Sequence, residues 1–130
     1  MTPLDRACRI VERSLRGYPA MPDDAEFMAA QMVAHANGGR STLTASTIRY
    51  AVRDAAIRAA AAFIPGDKID PKSESLVTNY GRFSACHGDE ATTMPKDYAG
   101  TINEQLFVIA KLGGIPSPRH VGRILQNLPS

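Results

Sequence analysis

The 130-residue chain has few of the features that hold secreted or membrane-spanning proteins together. It has no tryptophan, only two cysteines and no apolar run long enough to cross a bilayer. Two cysteines are too few for a disulfide framework, and the first residues lack a signal peptide's order of basic and then apolar residues. We therefore expect a cytoplasmic protein without a membrane segment. Both cysteines should be free thiols, with Cys8 buried on an apolar helix face and Cys86 accessible.

Bulky apolar residues and net charge are scarce as well. Leu, Ile, Val and Phe number 27 of the 130 residues and Ala a further 19, and 15 Lys and Arg against 13 Asp and Glu leave a net charge of +2. A balanced charge excludes a polybasic tail and an acidic solvating chain. The small supply of core residues predicts a modest core that a protein partner or a second copy of the chain completes.

Motifs for nucleotide binding, zinc binding and nucleophilic catalysis are missing from the sequence. It has no Walker-type glycine loop, no Gly-x-Gly-x-x-Gly, no Cys-x-x-Cys and no His-Glu-x-x-His. Reactive side chains cluster only in Cys86-His87-Gly88-Asp89-Glu90, which we interpret as part of a polar loop reaching to Pro95. A metal ion there would need further ligands such as His35 or His120. We therefore predict a protein that is not an enzyme and has no cofactor and no metal site.

Helical periodicity predicts an all-α fold, a compact bundle of about five helices in a single domain, residues 1–130. Capping residues or glycine stops mark most segments, and the clearest are 3–16, 23–36, 45–63, 102–112 and 118 onward. Thr101 with Glu104 is a predicted capping box, and Ser117 is a predicted N-cap. In the third segment the predicted buried stripe is Ile48, Val52, Ala55, Ala59 and Ala62, with Ile57 on the opposite face.

Residues 67–100 fit two interpretations. Pro71 followed by apolar residues at helical spacing favours a helix interrupted at Gly81. Residues 75–85 also suit a minor hairpin around Asn79-Tyr80-Gly81. We favour the helix.

Four arginines lie on one face of the first predicted helix. Arg6, Arg9, Arg13 and Arg16 fall within roughly eighty degrees of arc, and we call them the arginine row. Guanidinium groups on a rigid helix suit forked contacts to phosphates. Asp5 and Glu12 border the row and can pair with Arg9 and Arg16, which is the alternative of a solvated face. Because four arginines exceed two acids, the row predicts contact with nucleic acid or an acidic protein. Arg49 and Arg53, four residues apart, are candidates to extend this basic surface.

The two C-terminal helices and their glycine-bearing turn have the outline of a helix-turn-helix. The second helix of such a motif enters the major groove and uses its early residues on bases and phosphates. Arg119, Arg123 and Gln126 project from one face here, flanked by His120 and Asn127. The alternative is an ordinary helical hairpin with a solvated polar face.

The last helix also resembles part of a known family. Arg119-His120-Val121-Gly122-Arg123-Ile124-Leu125-Gln126-Asn127-Leu128-Pro129 is similar to the Arg-x-Val-Gly-x-x-Leu-x-x-Leu-Pro stretch of alkyltransferase-like DNA-binding proteins. In that family the stretch is the recognition helix of a helix-turn-helix, so the resemblance implies DNA contact by this helix. It covers about a fifth of the chain. The family's Pro-Cys/Trp-His-Arg motif does not follow, so the resemblance implies no alkyl-transfer chemistry.

The sequence as a whole predicts a non-enzymatic nucleic-acid-binding protein. We expect a small DNA-binding regulator or a helical subunit of a nucleoprotein complex, acting with a protein partner or as a homo-oligomer. The alternative is a small helical adaptor or inhibitor that docks on an acidic protein surface. A third interpretation, a small metal-dependent or thiol enzyme, depends only on the residues around Cys86.

Overall fold

A computed structural model of the chain describes residues 3–19, 21, 23–24, 26–27, 30, 45–87 and 93–126. Five α-helices have their bounds among these residues: α1 Pro3–Leu15, α2 Ala45–Ala61, α3 Ile69–His87, α4 Ile102–Lys111 and α5 Pro118–Gln126. A 3₁₀ turn, η1, spans Lys96–Tyr98. No described residue lies in a strand, which confirms the predicted all-α fold.

The chain divides into two compact units, residues 1–52 and 53–130, and the boundary falls within α2. The assignment of residues 1–130 to one domain therefore stays a prediction. The second predicted helix is helical at Asp23, Asp24, Glu26, Phe27 and Ala30. Its remaining positions, including His35, lie outside the described residues. The same holds for residues 88–92 and 127–130.

Glycines end α1 and α4 in the same way. Gly17 has a φ of 80° and Gly113 a φ of 107°, a region that favours glycine. After α1, the amide of Tyr18 donates to the carbonyl of Arg13 at 2.9 Å. After α4, the amide of Gly114 donates to the carbonyl of Ile109 at 3.0 Å. Both ends have the Schellman pattern, which satisfies carbonyls that the helix leaves without partners. The predicted stops at these glycines are confirmed.

Helix α3 is the longest helix among the described residues, and the other helices of the second unit's C-terminal part pack against it. Both α4 and α5 pack against it, and η1 packs against α4. Three rings join these elements edge to face. Phe83 and Tyr98 lie 6.0 Å apart, and Tyr98 and Phe107 lie 6.5 Å apart, between ring centroids. Leu76 of α3 is fully buried, as are Val108 and Ile109 of α4 and Val121 of α5.

Several local predictions need correction. The hairpin alternative for residues 75–85 and the predicted interruption of the helix at Gly81 are both wrong, because α3 runs unbroken through Gly81. Cys86 and His87 belong to the last turn of α3 and not to a loop. At α4 the hydroxyl of Thr101 donates to the Tyr98 carbonyl at 2.7 Å, so the predicted capping box does not form.

The buried face of α2 also differs from the prediction. Its buried residues are Val52, Ala56, Ile57, Ala60 and Ala61, whereas Ala55 and Ala62 are exposed and Ile48 and Ala59 are half-buried. The burial therefore follows one broad face that includes Ile57, and the stripe is rotated from the predicted one. Alanine-rich sequence gives a weak signal for orientation, since small apolar side chains occur on every side of this helix.

Candidate nucleic-acid interface

Helix α5 separates its polar and apolar residues sharply. Val121, Gly122, Ile124 and Leu125 are buried. Its exposed residues are Pro118, Arg119, His120, Arg123 and Gln126. The helix contains no acidic residue. The three residues predicted to contact DNA, Arg119, Arg123 and Gln126, therefore lie together on the solvent face of α5.

Close packing on α3 fixes the orientation of α5. Gly122 is buried, and a methyl group in place of its hydrogen would lie 3.5 Å from the Ser73 hydroxyl oxygen and 3.6 Å from Ile69 Cγ2. The Ser73 hydroxyl is 2.7 Å from the Ile69 carbonyl, to which it donates. Because this buried hydroxyl already donates to an acceptor within α3, it needs no hydrogen-bond partner from α5. These distances are ordinary van der Waals contacts, so the two helices pack closely here and still leave room for a Cβ at Gly122.

Both ends of α5 have side-chain partners. Ser117 Oγ accepts from the amide of His120 at 3.4 Å, which is the predicted N-cap contact at the long end of the range. At the other end, Arg58 Nε donates to the Ile124 carbonyl at 3.3 Å. A cation at the C-terminal end of a helix also interacts favourably with the helix dipole. Sequence reasoning missed Arg58, because no local pattern links residues 66 positions apart.

The electrostatic surroundings of the two α5 arginines differ. Arg119 lines a small cavity of about 270 Å³ together with Asp70, Ser73 and Glu74 of α3. Two carboxylates lower the positive potential around Arg119. Arg123 does not line that cavity.

The arginine row of α1 is engaged within the first unit. Arg6 Nη2 donates to the Asp23 carbonyl at 2.7 Å, and Arg9 Nη2 donates to Asp24 Oδ1 at 2.5 Å. Arg6 Nε also lies 3.8 Å from Asp24 Oδ1. Arg9 therefore has an ion-pair partner in Asp24, a residue that no sequence pattern singled out.

The other two members of the row contact backbone. Arg13 Nη2 donates to the Pro19 carbonyl at 3.1 Å, and its guanidinium lies 5.6 Å from the centre of the Tyr18 ring. Arg16 Nη1 donates to the Glu12 carbonyl at 3.1 Å. The whole row thus has partners inside the chain, most of them in the segment that follows α1.

Burial perturbs two ionisable groups beside the row. It raises the pKa of the Glu12 carboxyl, against a smaller opposing effect of Arg16. Burial is also the main cause that raises the pKa of Cys8, and the negative charges of Glu12 and Asp5 add to it. Cys8 is half-buried and Cys86 is exposed, so the prediction is confirmed for Cys86, and Cys8 is less buried than predicted.

Arg49 and Arg53 do not share one environment. Arg49 is exposed near the start of α2. The Arg53 side chain is only 13% exposed, and its Nη2 lies 3.2 Å from Asp54 Oδ1. Arg53 therefore has its charge compensated locally, whereas Arg49 presents its side chain to solvent.

No group of three or more His, Cys, Asp or Glu side chains among the described residues is placed to hold a metal ion. None of the helices in the described ranges combines the length and the apolar character needed to cross a membrane.

Comparisons with protein-family models, with curated proteins and with solved structures found no match to this chain. The local resemblance of residues 119–129 to alkyltransferase-like DNA-binding proteins therefore depends on those residues alone. Any assignment of function has to come from the side chains that the fold presents.

Proposed function

We propose that the protein binds nucleic acid through the exposed face of α5, as a small DNA-binding regulator or as a helical subunit of a nucleoprotein complex. The observation that carries this proposal is the arrangement of α5. Arg119, His120, Arg123 and Gln126 are all exposed on a helix whose other face is buried and whose sequence contains no acid.

The chemistry of these side chains suits nucleic acid. Guanidinium groups donate forked hydrogen bonds to phosphate oxygens, and arginine and glutamine also recognise base edges in the major groove. Arg119 and Arg123 are separated by about 6 Å along the helix axis. A helix that is already folded suits DNA contact, since its backbone loses no further conformational entropy on binding. In this proposal α4 and α5 act as a helix-turn-helix-like pair with α5 as the recognition helix.

The proposal is tested by measuring duplex-DNA affinity over a series of salt concentrations for the wild type and for the double variant Arg119→Ala/Arg123→Ala. Each lost phosphate contact reduces the slope of log affinity against log salt by about 0.9. We expect the double variant to bind at least about tenfold more weakly, with a slope smaller by about 2.

A matched control removes the same charge outside α5. Arg82 of α3 and Lys96 of η1 are both exposed, so Arg82→Ala/Lys96→Ala should retain nearly the wild-type affinity and slope. Equal losses in the two double variants would contradict the proposal. If the wild type binds neither DNA nor RNA at low salt, nucleic-acid binding is excluded, and docking on an acidic protein surface takes its place.

A further inference from the structure

The arginine row of α1 has an internal acidic counterpart. Asp24 is 1% exposed and lies between the guanidinium groups of Arg6 and Arg9. The side chains of these two arginines remain 33% and 37% exposed. The Arg6 guanidinium also stacks on Phe27, 4.9 Å from the ring centre. One carboxylate thus neutralises a part of the row that is still reachable from solvent.

The charges of this region balance only because of the segment that follows α1. Residues 3–16, which are α1 and the residue after it, hold four arginines and the two acids Asp5 and Glu12, which leaves two positive charges. Asp24 supplies one negative charge directly to Arg6 and Arg9, and Asp23 adds a second one in the same segment. The excess that made the row a candidate for phosphate binding is therefore compensated inside the unit.

The hydrogen bonding of the row is less complete than its charge balance. Among the described residues, the Nε groups of Arg6, Arg9 and Arg13 and the Oδ2 atom of Asp24 are buried without a hydrogen-bond partner. Buried polar groups are normally paired, and each unpaired one is costly. The Asp24 carboxylate contacts only Arg6 and Arg9 and leaves the Nε of each without an acceptor, whereas a phosphate offers several strong acceptor oxygens to a guanidinium row.

We propose that the arginine row is a second phosphate-binding surface, which Asp24 occupies internally and which becomes available when phosphate groups of a nucleic acid replace the Asp24 carboxylate. This inference rests on the proposed nucleic-acid binding and adds an autoinhibited surface to it. The exchange trades one anion for another at the same guanidinium groups, so no covalent step is involved.

The test compares Asp24→Asn with Asp23→Asn, each in the wild type and in the Arg119→Ala/Arg123→Ala variant, by fluorescence anisotropy with a labelled DNA duplex over a salt series. Both substitutions remove one negative charge from the same segment. Only Asp24→Asn removes the carboxylate that is paired with Arg6 and Arg9, because Asp23 contacts the row through its backbone carbonyl. We expect Asp24→Asn to bind about threefold more tightly or better, with a slope larger by 1 to about 2.

Adding Arg9→Ala to Asp24→Asn should abolish this gain. The proposal is overturned if Asp24→Asn binds no more tightly than Asp23→Asn, or if the gain survives without Arg9. If this proposal fails in that way but Arg119→Ala/Arg123→Ala still binds DNA more weakly than the wild type, the proposed function of α5 stands. If Asp24→Asn gains affinity but the α5 variants lose none, the α5 assignment fails alone. If no variant binds DNA, both proposals fail.

A second measurement uses the wild-type protein, in case Asp24→Asn does not fold. The amide of Asp24 donates to the Met21 carbonyl at 3.0 Å. Displacement of the segment by DNA should accelerate hydrogen exchange at this amide. Slower or unchanged exchange at saturating DNA would overturn the proposal.

Discussion

Asp24 shows how one distant residue can give a structural role to arginines whose spacing predicts phosphate binding. The row of four arginines predicts a phosphate surface from spacing alone, but the spacing carries no information about a partner 15 residues away. A buried carboxylate is stable as an ion only beside compensating charge and hydrogen bonds. Arg9 and Arg6 therefore have a structural role in the first unit besides any contact with nucleic acid.

The two cysteines provide a residue-scale prediction. The thiolate is the reactive form of cysteine, and burial with the charges of Glu12 and Asp5 raises the pKa of Cys8. Cys86 is exposed. We expect an aromatic disulfide reagent to modify Cys86 about tenfold faster than Cys8 in the native protein, and the rate at Cys8 to increase as the pH is raised.

Cys8→Ser and Cys86→Ser variants assign the two rates to their residues. Equal rates at neutral pH would mean that α1 has a different face turned inward from the one described here.

At the scale of elements, the glycine stops of two helices were predictable and the contacts between helices were not. Gly17 and Gly113 stop α1 and α4 as predicted, because a left-handed residue is a local requirement. The continuity of α3 was ambiguous, since Gly81 and its neighbours suit a turn as well as a helix. Packing of α4 and α5 on α3 decides for the helix, and local sequence does not encode that packing. The same holds for the contact of Arg58 with α5.

Three glycines test the packing of α3 and α5. In the helices, Gly81→Ala meets no atom within 4 Å, and Gly122→Ala makes only ordinary contacts with Ser73 and Ile69. Both should stabilise the fold by up to about 1 kcal/mol through helix propensity. Gly114 has a φ of 94°, and an added Cβ would lie 3.2 Å from the Tyr80 hydroxyl oxygen. Gly114→Ala should destabilise by about 1–2 kcal/mol.

Urea unfolding followed by circular dichroism measures all three changes. A loss of stability in Gly122→Ala comparable to that of Gly114→Ala would show that α3 and α5 lie closer together than described. An unchanged Gly114→Ala would contradict the turn geometry between α4 and α5.

At the scale of the whole molecule, a net charge of +2 is too small to attract nucleic acid by bulk electrostatics. The proposed binding therefore depends on how charges are arranged. The described surface offers one helix face with exposed basic groups and no acid of its own, α5, and one arginine row held by internal partners, on α1. The candidate residues on α5 could be found from sequence, because periodicity alone places them on one face.

The most direct test of the central claim is a titration of ¹⁵N-labelled protein with a short DNA duplex, followed by amide chemical shifts. The account predicts that the largest shift changes in the second unit occur along α5, at Arg119, His120, Arg123 and Gln126. Changes concentrated elsewhere in that unit, for example around the half-exposed ring of Phe63, would contradict it. An unchanged spectrum at low salt would contradict nucleic-acid binding altogether.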